Sequence, residues 1–482
     1  MDYTTLKALN PSEFTEAAGG YRALSKSASA SKDDIDNRVA ASMRKALRGQ
    51  AAEGAMGELK RLSDNFHYVQ TECGLVSAAL DGFAHDVGAA KRKLDVAVAD
   101  AEAGRCTVNA DGSVGYPSGG DKVDGKVPEG GTATGLTGTA AQGVGRQAAS
   151  FALNPHYRVA QECADRIAEA VKEATESDER WAPKLKALKA DDDLTVSDRD
   201  WVDAKSDTAG AAKAAEHYLD SIEHPPRDGN AEDNAQWWKG LGPEERSAYL
   251  ALRPEIVGAL DGVPSEVRDE ANRAVFSETK AKYEMDLDSI PAEPANRHKT
   301  VYATGRPIQV DSDEWKAWNE KYGDRKSQLL SAVSGMRAIQ SRFDRTGADG
   351  LPEAYLLGFD PVGKGDGKVI LANGNPDTAD HTAVYVPGTG TNLEGIEKDL
   401  TRGERLWSSS TALVPGQNVS TITWFDYDAP RSAYPGDKGD AIPEAMHDSY
   451  AEKAGPTLRE FMDGNRVAHQ AESAPATSGT RR

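Results

Sequence analysis

Between residues 59 and 97 apolar side chains recur three and four positions apart without a break: Leu59, Leu62, Phe66, Val69, Cys73, Val76, Leu80, Phe83, Val87, Ala90, Leu94 and Ala97. That period draws one narrow stripe along a long helix, and such a stripe is buried only against a second helix. The chain supplies one itself. Asn10-Pro11-Ser12-Glu13 has the form of a helix start, with a capping side chain, a proline in the first turn and an acid able to reach back. Phe14, Ala17, Tyr21, Leu24, Ala28, Ile35, Val39, Met43 and Leu47 then follow at helical spacing. A reversal near Arg48-Gly49 makes a long helical hairpin of residues 1–104; pairing of the heptad helix with another chain is the other way to cover the stripe.

Residues 105–150 break the helical period, with a small hairpin around Asp111-Gly112 and a Gly- and Thr-rich linker from Gly130 to Gly145. Helical spacing resumes over 151–226, with Val159, Cys163, Ile167, Ala170 and Val171 on the buried face. The run Asp191-Asp192-Asp193 lacks the spacing of a calcium loop and reads as a solvated helix start. Three cysteines without a CxxC pair give neither a disulfide framework nor a zinc site. A net charge of −20 repels phosphate backbones and anionic lipid, so nucleic acid is not an expected partner. With no apolar run of membrane-spanning length, membrane insertion is not expected either.

Residues 227–345 are expected to be helical, the last helix spanning 314–343, and contain the most distinctive string of the chain. Trp237-Trp238, Arg253-Pro254-Glu255-Ile256-Val257-Gly258, Leu260-Asp261-Gly262-Val263-Pro264 and Arg268-Asp269-Glu270-Ala271-Asn272-Arg273 follow one another closely. Together they resemble the segment ahead of the hydrolase domain in an actinobacterial α/β-hydrolase family of uncharacterised function. Separately, two long helices meeting at a turn resemble the helical hairpins of ESX-type secreted proteins, with Leu47-Arg48-Gly49 where those carry Trp-x-Gly.

Residues 352–469 then alternate strands and helices: strands at 355–359, 368–372, 382–386 and 419–424, helices at 393–411 and 446–469. That order opens a doubly wound α/β sheet. Pro387-Gly388-Thr389-Gly390-Thr391 follows the third strand directly, where the resemblance implies an oxyanion loop, and the likeness continues through Tyr427-Asp428-Ala429-Pro430. The same resemblance implies that a strand and a Gly-His-Ser-Tyr-Gly elbow come next, with an acid and a histidine later. No G-x-S-x-G occurs anywhere in the 482 residues. The nearest string, Asp111-Gly112-Ser113-Val114-Gly115, sits in a hairpin and not before a helix. Residues 470–482 are small and polar and are expected to be a disordered tail.

The expected fold class is therefore α+β and mostly helical: an N-terminal helical hairpin or bundle, then an incomplete α/β-hydrolase-like parallel sheet. The resemblance implies hydrolysis of an ester, amide or thioester, in a chain cut off before its nucleophile and inactive alone. The alternative is a helical interaction or ESX-type secretion-associated protein. No cofactor and no metal is called for, and His381 and His469 are isolated and expected to be surface or structural. The heptad helix and the unpaired sheet edge left by a missing strand are the expected surfaces for self-association or a protein partner. Without a signal peptide, the expected location is cytoplasmic, or outside by an ESX-type route.

Overall fold

The computed structural model describes residues 1–188, 195–227, 229–303, 306–362, 367–434, 437 and 442–473. The Asp191–Asp193 run and the tail from residue 474 lie outside them, and the helix ahead of that tail continues to Ser473. The fold is mostly helical with small sheets, as expected. It divides into two compact units, one of residues 1–24, 72–190 and 207–224, the other of residues 25–71, 191–206 and 225–482. Two long helices, α1 (Pro11–Asp33) and α2 (Gln50–Ala103), contribute to both. The chain reverses between them at Gly49, whose φ of 98° suits glycine.

In the first unit the apolar stripe does what its period demands. Phe83, Val87, Ala90, Leu94 and Ala97 are buried, and Phe14 of α1 meets Phe83 edge-on at 4.9 Å. Two polar ties fix the register: Arg22 with Asp81 at 2.5 Å, and the Ser77 hydroxyl donating to the Ala18 carbonyl at 2.9 Å. A third helix, α3 (Pro155–Ala187), brings Trp181 so close to Gly82 that a methyl there would sit 2.5 Å from the ring. Strands β1 (Thr107–Val108), β2 (Val114–Tyr116) and β3 (Gly131–Ala133) form a small antiparallel sheet, with the expected turn at Gly112.

In the second unit the stripe departs from its period. Leu62 and Val69 are 44% exposed, while their neighbours Ser63 and Gln70 are buried. The inward face has turned by one residue and become polar because it borders a charged cavity rather than an apolar partner. Opposite it, the chain after α1 winds into a π-helix over Asp34–Ala40.

The middle string forms four helices: α4 (Ala231–Gly240), α5 (Pro243–Leu252), α6 (Pro254–Ala259) and α7 (Ser265–Asp288). Trp237 and Trp238 are buried, Trp237 edge-on to Tyr249 at 5.0 Å. Gly262 has φ 92° and lies where a methyl would come within 2.1 Å of the Ala231 carbonyl. A two-stranded hairpin, β4 (His298–Ala303) and β5 (Arg306–Asp311), follows, and then helix α8 (Asp324–Asp344). The helix expected over 314–343 is divided by a π-turn at Asn319–Gly323.

Four strands build the last sheet: β6 (Ala354–Asp360), β7 (Lys368–Asn373), β8 (His381–Tyr385) and β9 (Val419–Phe425), in the order β6-β7-β9-β8. The short β6–β7 link permits only antiparallel pairing, and β7 pairs β9 antiparallel as well. Parallel pairing is confined to β8 and β9, joined by the crossover helix α9 (Glu397–Leu413). Side chains alternate between two cores. Leu356, Val369, Leu371 and Phe425 meet α7, α8 and α9 through Phe276, Met336 and Leu400. Tyr355, Leu357, Ile370, Ile422 and Trp424 meet Phe461 of the last helix, α10 (Ser449–Ser473). Strand β9 is buried along its whole length, whereas β8 is an exposed edge.

The opposite edge, β6, is closed by side chains of α7. Asp269 accepts the Leu356 N–H at 2.6 Å. Asn272 donates to Leu356 O at 2.9 Å, Arg268 to Leu357 O at 2.6 Å and Arg273 to Ala354 O at 2.6 Å. An edge strand otherwise offers these groups to another chain. The Arg268–Arg273 string is thus a side-chain substitute for a neighbouring strand. Among the described residues no helix is long and apolar enough to cross a membrane.

Candidate functional site

The loop of residues 386–396 leaves the C-terminal end of β8 and enters α9. Its far end is anchored by Leu393 and Ile396, both buried. Leu393 lies against Gly335 of α8, where a methyl would sit 2.3 Å from the Leu393 carbonyl oxygen. Its near end is held by the segment after β9. Tyr427 donates its hydroxyl to the Pro387 carbonyl, and the Gly390 N–H donates to the Pro430 carbonyl at 2.8 Å. Tyr427 stacks on Trp424 with the rings 8° from parallel. Burial raises the Tyr427 pKa, which keeps the hydroxyl protonated and able to donate.

Between these holds the backbone turns sharply. The Thr391 N–H and hydroxyl both reach the Gly388 carbonyl, at 3.3 and 2.8 Å. Gly390 has φ 81°, a conformation that favours glycine. The five expected loop residues therefore differ in what they can offer. Pro387 has no N–H, and its carbonyl is taken by Tyr427. The amides of Gly390 and Thr391 are committed within the protein. Those of Gly388 and Thr389 donate to no acceptor among the described residues, and both residues are exposed. Two adjacent free amides on a pinned turn are the kind of donor pair that stabilises an oxyanion.

Neither Ser113 nor Ser265 is arranged as a nucleophile. Ser113 is buried in the β1–β2 turn, with its hydroxyl 2.6 Å from Asp111 and 2.9 Å from Asn109. Ser265, Asp377 and His469 do come together, which their separation in sequence concealed. The Ser265 hydroxyl and N–H both reach the Asp377 carboxylate, at 2.7 and 2.6 Å, and His469 Nδ1 reaches the Asp377 carbonyl at 2.7 Å. Ser265 is 2% exposed and bound to the acid rather than to the histidine, so this group caps the start of α7 and ties α10 to it. His381 pairs with Gln417 at 2.6 Å on the surface. Among the described residues no group of three His, Cys, Asp or Glu could hold a metal ion.

The strand order, the crossover and the loop at the end of β8 are the arrangement expected at the start of an α/β-hydrolase sheet. Comparison with known proteins agrees: residues 360–478 match the family model described as alpha/beta hydrolase. Two uncharacterized proteins of Mycobacterium tuberculosis, one from strain CDC 1551 / Oshkosh and one from H37Rv, are each 29% identical over 259 residues. The similarity covers 52% of this chain but 35% of each relative, so the chain spans about a third of the curated relatives it matches. No solved structure matches.

Proposed function

We propose that this part of the chain is the oxyanion side of an acyl-transfer site, serving hydrolysis of an ester, amide or thioester. The observation that carries the reading is the pair of uncommitted amides, Gly388 and Thr389, held at the end of β8 by Tyr427 and Pro430. In an α/β-hydrolase the loop after the third strand supplies one oxyanion N–H and the residue after the nucleophile supplies another. Pro387 to Thr391 stands in that place. The free side of β8 is where a following strand would pair and deliver a serine beside the loop.

No described serine fills that role and no nucleophile elbow occurs in the sequence. We therefore expect these residues alone, which lack a nucleophile elbow, to be inactive or severely impaired. Oxyanion donors without a nucleophile and base polarise an acyl group but do not cleave it.

The test is to read the coding DNA past the codon for His469 in all three forward frames. A strand followed by Gly-His-Ser-x-Gly is expected, and a chain carrying it should hydrolyse activated esters and label at that serine. No such frame, or an extended chain that remains inert, would overturn the reading.

A further inference from the structure

A second site lies away from the loop, in a cavity of about 310 Å³ bordered by α1, α2, α7 and β6. Ligand sites start at about this volume. The carboxylates of Asp33, Glu266, Asp269, Glu270 and Glu353 outnumber its cations, Lys32 and Arg273. Both cations are already committed, Lys32 to Asp33 at 2.8 Å and Arg273 to Asp269 at 2.7 Å. The groups left over are acceptors. Glu270 takes one hydrogen bond, from Gln70 Nε2 at 2.7 Å, and its second oxygen has none among the described residues. Gln70 is 7% exposed, and the carbonyl oxygen of the same amide has no partner. His67, on the cavity wall, lies tilted against Trp201 with ring centres 4.9 Å apart, and no hydrogen bond engages its ring nitrogens among the described residues.

From this we propose that the cavity binds a small organic cation bearing N–H donors, an amine of the size of putrescine, with Glu270 as its counter-charge and Gln70 as an acceptor. The π-helix at Asp34–Ala40 lends support, since such turns cost helical hydrogen bonding and recur at functional sites. Its Asn37 borders the cavity and bonds Glu353. The electrostatics agree with the geometry. Burial, then Asp33 and Asp269, raise the Glu270 pKa, and burial followed by Asp269 raises that of Glu353. Glu270 is exposed at the cavity's edge and the acids there outnumber the cations, so an entering cation is favoured. His67 is driven well below its ordinary value, by burial first and then by Lys32, so it stays neutral and does not compete. A hard metal ion is a poorer fit, because calcium takes six or more oxygens and no three ligating side chains converge here among the described residues.

The test is calorimetric titration of the full chain with putrescine at low salt, alongside Glu270→Gln and Asp288→Asn. Glutamine keeps the shape of Glu270 and its contact with Gln70, so the variant should fold. Saturable binding at one site is expected, weakened about tenfold or more by Glu270→Gln and unchanged by Asp288→Asn on the exposed end of α7. No saturable binding, or binding that Glu270→Gln leaves as tight, would overturn the proposal.

Discussion

Asp269→Ala should be among the most damaging single substitutions in the second unit, and its cost follows from two contacts. One carboxylate oxygen accepts the Leu356 N–H of the sheet edge, the other accepts Arg273 Nε. Asp269 is 7% exposed, so water does not replace either bond. An unsatisfied buried N–H costs about 1–3 kcal/mol. Stripping a buried cation of its partner costs about 3–5 kcal/mol. The two losses do not simply add. Arg273 keeps its bond to Ala354 O and its stacking on Phe343 at 3.9 Å. Burial also raises the Asp269 pKa against the pull of Arg273, so part of the ion pair's worth is already offset. A net loss of about 3 kcal/mol is the result, some 4–5 °C in melting temperature for a unit of about 320 residues. Asp269→Asn keeps an acceptor for Leu356 and should cost about half as much. Denaturant titration followed by tryptophan fluorescence gives these differences, with Asp288→Ala as the surface control within about 0.5 kcal/mol. A loss below about 1 kcal/mol for Asp269→Ala would refute the claim that α7 side chains stand in for a strand beside β6.

Other consequences are as specific. Tyr427→Phe removes the donor to Pro387, so it should cost about 1 kcal/mol and speed amide exchange in the 386–396 loop, measured by mass spectrometry against an unchanged α7. Gly335→Ala would push a methyl into the Leu393 carbonyl, and should cost about 1–3 kcal/mol by thermal melting while increasing exchange in the same loop. Glu270 has a folded-state pKa above its ordinary 4.5, so its ionised form is penalised in the fold. That penalty is complete above the raised value and vanishes below the ordinary one. Because Glu270 is exposed, solvent screens most of that penalty, so Glu270→Gln should raise the melting temperature near neutral pH only slightly and converge with the parent in acid, which melting curves across that range would check.

The sequence was a good guide wherever burial follows a simple period. The stripe from Phe83 to Ala97 is buried as its spacing requires, and the four strands of the last sheet lie within a residue or two of their alternating or continuous apolar runs. The hairpin of β4 and β5 went unread because Arg306, Pro307, Ile308 and Gln309 are all exposed, which leaves no inside–outside alternation to see. Leu62 and Val69 misled because period alone does not tell an apolar partner from a polar cavity one residue further round the helix. Residues Pro387 to Thr391 were legible as a Gly-rich turn after a strand. Which of its amides are free was not, since that depends on Tyr427 and Pro430, which reach it only through the fold. The Arg268–Arg273 string was recognisable as distinctive, but its work of closing the β6 edge requires knowing that β6 is an edge.

The proposed function places the oxyanion side of an acyl site in these 482 residues without its nucleophile. Intact-mass spectrometry after incubation with a fluorophosphonate probe tests this most directly. No adduct on the folded chain is predicted. One probe bound per chain at a serine, abolished by prior unfolding, would contradict the account and place a working nucleophile within it.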